Sequence, residues 1–350
     1  MYALVRKNQR PSFLRHVVRS LRGSELPPLP TPGPLPSHHI LCAGTYSPVF
    51  ARLAAECALA ACPPERRNDF RLYIHVDGLA RRMKPELMAW LGEIPGATLS
   101  YGLFGILPQD RIPGKWHQTM INNVVEHFRA EPHLAFIDAD LFLVDDSWWT
   151  AGLDRLAADV YAVTVGLRCW ATMDLDGRSF CAQTTNLFTL NTAAHLALDR
   201  QQCNKDRKAM RRLQRDYPQA GFAVERVDSL VVTSLRAQAE GLRVIDVEEQ
   251  VTHCHVGGFS HLGFHKFHSY EAPERRPVID SLLGRFRLLS AVLDYFDGRG
   301  WGHLVEAGYR DNVARTWVFL RERPLLMQWL EALLPTPHEQ VFARVVQAHR

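Results

Sequence analysis

Two aspartates one residue apart, Asp138 and Asp140, stand inside an otherwise apolar stretch, His133-Leu134-Ala135-Phe136-Ile137-Asp138-Ala139-Asp140-Leu141-Phe142-Leu143-Val144-Asp145-Asp146. A carboxylate leaving a buried strand needs a partner or a cation, because burying an uncompensated charge is costly. Alternate residues of an extended segment project to one side, so the spacing predicts two carboxylates aimed at one point. One would ligate a divalent cation while the other holds a water, a ribose hydroxyl or a phosphate. Hard oxygen ligands of this kind suit Mg2+ or Mn2+ bridging two phosphates. The motif is short enough to arise by chance, and the bland alternative is a pair of turn-forming or capping aspartates. The apolar residues on both sides favour the cation.

Such a run reads as a strand buried on both faces of a mostly parallel sheet, and open α/β sheets bind ligands at the carboxyl ends of their strands. The preceding chain repeats the unit that builds such a sheet. A strand over 39–43 leads through Gly44-Thr45-Tyr46-Ser47-Pro48 into a helix over 49–61. A second strand over 70–78 ends in Asp77 before Gly78, and a helix over 85–91 and a third strand over 97–103 follow. Right-handed crossovers make this series a nucleotide-binding half-domain. The turn Ala43, Gly44, Thr45 would present backbone N–H groups to a nucleotide. Tyr46 could stack on a base or pack beside the helix start. Asp77 could accept from a base or ribose, or simply shape the turn. Neither Gly-x-Gly-x-x-Gly nor Gly-Lys-Ser/Thr occurs, which weighs against a dinucleotide fold and a P-loop. Lys115, in Gly114-Lys115-Trp116-His117, opens a helix to Phe128 and offers a diphosphate both its charge and the helix N-terminus; otherwise it is a surface lysine.

The 350 residues, 47% hydrophobic and 22% charged, describe an ordinary soluble globular protein of one large or two smaller domains. A net charge of +4 carried by dispersed basic residues gives no argument for nucleic acid as the main ligand, and none is expected. Seven cysteines without a Cys-x-x-Cys pair fit reduced thiols and a cytoplasmic setting. No apolar run is long enough to span a bilayer, and the N-terminal residues lack the apolar core of a secretory signal, so none is expected. Residues 1–25 form a basic amphipathic helix that either docks on its own domain or makes peripheral contact with an anionic membrane surface. A Pro-rich linker spans 26–38, the nucleotide-binding domain 39–270, and a helical extension 271–350, with helices over 278–296, 310–323, 325–334 and 339–349. That extension would shape an acceptor site or a homo-oligomer interface.

The order of Ala43-Gly44-Thr45-Tyr46, Asp77, Lys115 and Phe136-Ile137-Asp138-Ala139-Asp140-Leu141-Phe142-Leu143 resembles the nucleotide-sugar glycosyltransferases of the GT-A fold over roughly residues 39–265. The last segment is most similar to the metal-binding strand of the retaining group that includes glycogenin and bacterial lipopolysaccharide galactosyltransferases. The resemblance implies an α/β fold, a Rossmann-like, mostly parallel sheet flanked by helices, with a helical C-terminal extension. It implies a nucleoside-diphosphate sugar donor, with uridine as the base, and Mn2+ or Mg2+ held by Asp138 and Asp140 with Ala139 beside the donor. Val251-Thr252-His253-Cys254-His255-Val256-Gly257-Gly258-Phe259-Ser260-His261 resembles the family's His-x-x-Gly-x-x-Lys stretch. His255 would complete the metal site, Gly258 matches the glycine, and His261 replaces the phosphate-binding lysine with an imidazole largely neutral at pH 7. Cys181 to Asn191 resembles the family's strand with an Asn-x-Gly-type turn, which places Gln183 and Asn186 beside the donor sugar; as plain polar residues they would cap a strand. Asp228 stands where retaining relatives carry Asp-Gln and inverting ones a Glu-Asp whose aspartate is the general base; alternatively it N-caps the following helix.

Retaining hexosyl transfer is the favoured expectation and inverting transfer with Asp228 as base the second. An Asp-x-Asp phosphatase and a non-catalytic nucleotide-binding protein are rivals. A separate zinc site among His253, Cys254, His255, His261, His265 and His268 matches no common zinc module. The acceptor, whether glycan, lipid, protein or small molecule, is not specified by the sequence.

Overall fold

The computed structural model describes residues 38–45, 48–77, 84–102, 121, 124–125, 128–199, 207–225, 227–257, 276–305 and 307–349. The expectations placed on the N-terminal helix and linker, on Tyr46, Lys115, Gly258 and His261, and on His265 and His268 lie outside them. Two compact units divide the described chain. The first holds 38–45, Pro64–Asp138 and Ser147–Val251; the second holds 48–63, Ala139–Asp146 and the chain from Thr252 onward.

The first unit is built on a seven-stranded sheet. Its strands are β1 (His38–Thr45), β2 (Phe70–Asp77), β3 (Ala97–Gly102), β4 (His133–Asp138), β6 (Val160–Thr164), β9 (Leu187–Asn191) and β11 (Arg243–Asp246), in the order β11-β6-β9-β4-β1-β2-β3. Six strands run one way; β9 alone is antiparallel to its neighbours β4 and β6. Strand composition follows from that position. Leu134 to Ile137 in β4 and all of β6 are buried, the signature of strands covered on both faces. Phe136 of β4 stacks on Phe188 of β9 with ring centroids 4.8 Å apart, filling the centre of a core that includes Tyr161, Met173 and Leu235.

A three-stranded sheet, β10-β7-β8, belongs to the same unit, with β7 at Leu167–Leu175, β8 at Arg178–Gln183 and β10 at Gly221–Val224. The β7–β8 hairpin turns on Asp176 and Gly177, both with positive φ (51° and 74°), as a primed turn requires. Helices among the described residues of this unit include α2 (Lys84–Gly92), α3 (Thr192–Asp199), α4 (Arg207–Asp216) and α5 (Val231–Ala239); α1, Pro48–Ala61, belongs to the second unit.

In the second unit, β5 (Leu141–Leu143) pairs antiparallel with β12 (His253–His255). Helix α1 lays Phe50 parallel to Phe142 of β5, with centroids 6.5 Å apart. Four helices follow, α6 (Arg276–Gly298), α7 (Ala307–Arg321), α8 (Pro324–Ala332) and α9 (Pro337–Ala348), the last opened by a capping box between Thr336 and Glu339. Ile279, Leu283 and Phe286 of α6 bury against Phe319, Leu326 and Trp329. The α/β class, the mostly parallel sheet and the helical C-terminal region are as expected, and these helices lie within three residues of the expected limits.

The two carboxylates interrupt the 133–146 run, and the segment across them is a turn rather than extended as expected: β4 stops at Asp138, Ala139 and Asp140 form the turn, and β5 joins a different sheet. Aspartates favour turns, and the apolar residues after Asp140 find their partner in β12 rather than in the large sheet. The stretch 181–191 likewise divides: β8 pairs with β7, the chain crosses at 184–186, and β9 enters the large sheet between β4 and β6.

Candidate metal and donor site

Because β1, β2 and β4 are parallel neighbours, their carboxyl ends align. Ala43 lies opposite Asp138 in the β1–β4 register, and Thr45 lies opposite Asp77 in the β1–β2 register. The backbone thus gathers Ala43, Gly44, Thr45, Asp77 and Asp138 at one end of the sheet. Asp138 is fixed there by its N–H, which donates to the Asn186 carbonyl at 2.7 Å. The antiparallel β9 makes this possible, since its amino end meets the carboxyl end of β4.

From Asp138 the turn carries the chain to Asp140, whose carbonyl accepts from Val256 N–H at 3.0 Å. Pairing of Leu141 with His255 sets the imidazole beside the acidic turn. His255 Nε2 is 3.6 Å from Asp140 Oδ1, and the two side chains are only 20% and 15% exposed. One ligand atom each from Asp138, Asp140 and His255 lie within 4.8 Å of one another. Two carboxylates and an imidazole at such separations, partly withdrawn from water, suit a hard or borderline divalent cation. The two acids meet through the turn rather than through a shared face of an extended strand, as the spacing alone predicts.

Gly257, not singled out by the sequence, packs against the His255 ring. Its φ is +54°, and a Cβ there would stand 3.2 Å from His255 Cε1 and 3.4 Å from both ring nitrogens. The backbone bends left-handed directly against the imidazole face, which only glycine does at low strain. The Gly257-Gly258 pair after a short strand was the available signal. The zinc alternative loses its sulfur. Cys254 alternates to the other side of β12 from His253 and His255, is fully buried, and has its thiol pKa pushed up by burial and then by the charges of Asp140 and Glu339. Among the described residues, the group that gathers within ligand distance is Asp138, Asp140 and His255, without the sulfur.

Gln183, at the end of β8, is fully buried, and neither amide atom has a hydrogen-bond partner among the described residues. A buried unpaired amide costs about 1–3 kcal/mol per group, so the side chain is suited to a ligand or a bound water. Its backbone N–H is engaged by Ser234 Oγ at 3.3 Å. Asn186 contributes its carbonyl to Asp138, as given above. Asp228 is not the cap of α5: Leu230 occupies that position, at φ +62°, with no side-chain cap bond. The Asp228 carboxylate instead accepts from Ser229 N–H at 2.8 Å and faces Arg168 at 3.9 Å.

No protein-family model matches the chain, and no curated protein matches it. Solved structures do. Mouse xyloside xylosyltransferase 1, in its apo form, is 12% identical over 60% of this chain and 84% of that one, with a TM-score of 0.39. A mannosyltransferase from Pyrobaculum calidifontis in complex with GDP-Man and Mn2+ is 12% identical over 96% of this chain and 92% of that one, with a TM-score of 0.41. The galactosyltransferase LgtC in complex with donor and acceptor sugar analogs is 13% identical over 60% and 73%, with a TM-score of 0.34. Among the described residues, no helix is long and apolar enough to cross a membrane.

Proposed function

We propose that this chain is a divalent-metal-dependent glycosyltransferase of the GT-A type that moves a sugar from a nucleoside-diphosphate donor, with UDP-sugars the first choice. The observation that carries the reading is the Asp138-Ala139-Asp140 turn at the carboxyl end of a central parallel strand, with His255, remote in sequence, 3.6 Å from Asp140. Asp138, Asp140 and His255 would hold Mn2+ or Mg2+, which when bound would neutralise charge building on the departing diphosphate. The oxygen-rich donor set, and Cys254 turned to the other side of β12, support those ions over zinc.

The chain's own residues then have separate tasks. The backbone of Ala43, Gly44 and Thr45 and the end of β2 at Asp77 would seat the nucleoside, at the strand ends where α/β sheets take ligands. The unpaired Gln183 amide and Asn186 would orient the donor sugar, and Asp228 would face the sugar or the acceptor. Retention is the favoured stereochemistry. The reduced thiols Cys57, Cys62, Cys181 and Cys254 fit the proposed cytoplasmic setting.

The test is release of nucleoside diphosphate from a panel of nucleotide sugars, with Mn2+ and with chelator, followed by NMR of the product anomer. Metal-dependent release that disappears in Asp140→Asn and His255→Ala is expected. An inverted anomer would move Asp228 to the role of general base. Phosphate release from simple esters without nucleotide would replace the reading with a phosphatase, and tight nucleotide binding without turnover with a binding protein.

A further inference from the structure

Arg168, the second residue of β7, has no part in the chemistry above, yet it is only 7% exposed. A guanidinium withdrawn from water has to be met by acceptors, and its planar fork can meet two at once. Nη1 donates to the Ser229 carbonyl at 3.0 Å and Nη2 to Thr185 Oγ1 at 3.0 Å. The same group faces Asp228 Oδ2 at 3.9 Å and lies over the Trp170 ring, 5.2 Å from its centroid.

Its two acceptors sit on loops far apart in the sequence. Thr185 precedes Asn186, whose carbonyl takes the Asp138 N–H at 2.7 Å. Ser229 lies between Asp228 and Leu230, and Leu230 is held left-handed at φ +62° while only 1% exposed. A buried leucine in that conformation persists only where its surroundings over-determine it, and such residues gather at functional sites. One cation thus joins the loop that anchors the acidic turn to the loop that carries the second carboxylate.

We infer that Arg168 is a positioning residue: it clamps the 228–230 loop to the 184–186 loop and so fixes Asp228 relative to Asp138. This rests on the glycosyltransferase reading, in which both carboxylates serve one reaction. Lysine would keep the charge but cannot span both acceptors.

The experiment uses the full chain and its Arg168→Lys and Arg168→Met variants. Amide exchange of residues 184–186 and 228–230, Mn2+ affinity, and kcat and KM for donor hydrolysis are measured well below each variant's melting temperature. Expected are faster exchange in both segments together and Mn2+ affinity and KM within about threefold of wild type. The kcat should fall about 100-fold for Met and about 10-fold for Lys, the scale of an ångström-sized misplacement of a reacting group. A lower melting temperature with unchanged kcat overturns the positioning role, leaving an arginine that merely holds the fold. If the wild type hydrolyses no nucleotide sugar, the parent reading fails, and exchange still decides the clamp: protection kept in both segments overturns it, protection lost in both upholds it.

Discussion

Adding one methyl at Gly257 probes whether His255 is a built metal ligand or a histidine that happens to lie beside two acids. Two effects are separable. Alanine held at φ +54° carries the left-handed penalty of roughly 1–2 kcal/mol, which lowers stability with or without metal. The methyl would also stand 3.2 Å from His255 Cε1, so the ring must yield by a few tenths of an ångström. Metal–ligand distances tolerate only about 0.2 Å, and disturbing the support of a ligand typically weakens binding ~10–100-fold. Gly257→Ala should therefore unfold at lower urea concentration and bind Mn2+ about 10–100-fold more weakly by calorimetric titration. Gly177→Ala is the control: its φ is +74°, but nothing lies within 4 Å of the added carbon. It should share the stability loss and leave Mn2+ binding unchanged. Wild-type Mn2+ affinity in Gly257→Ala, or an equal loss in Gly177→Ala, would refute the reasoning.

On the proposed site, Asp140→Asn removes a ligand's charge and His255→Ala a whole ligand, and both should weaken Mn2+ by at least the ~10–100-fold of a supporting change; Cys254→Ala should not alter the titration, and if it does the thiol belongs to the site. His195 is fully buried against the Tyr161 hydroxyl, 3.0 Å from its Nδ1, and burial lowers its pKa to about 4. Between that value and the unfolded ~6.5 the unfolded chain binds the extra proton, so stability is complete above pH 6.5 and falls by about 3 kcal/mol as pH drops to 4. Urea titrations across that window should show the slope, and a neutral His195→Asn should flatten it. Thr336→Ala breaks the α9 capping box and should cost about 1 kcal/mol in thermal or urea unfolding, with no change in metal binding.

Local sequence determined the elements and one half of the candidate site. Short apolar runs bounded by polar residues, such as Leu134 to Ile137, read as strands covered on both sides, and the helices from Arg276 onward follow from leucines and aromatics at three-to-four spacing. The acidic pair was legible because charge inside an apolar run is costly and therefore conspicuous. The tertiary structure decided where segments separated by about forty to more than a hundred residues meet. Register between β5 and β12 puts His255 at Asp140, the reversed β9 brings Asn186 to Asp138, and one guanidinium joins Thr185 to Ser229. It also sent the apolar run after Asp140 into a different sheet from β4 and moved the cap of α5 from Asp228 to Leu230. Hydrophobic periodicity is written residue by residue, whereas strand partners and buried cations are selected by the whole core at once. The apolar pattern therefore announces a strand without saying which residue will lie across from it.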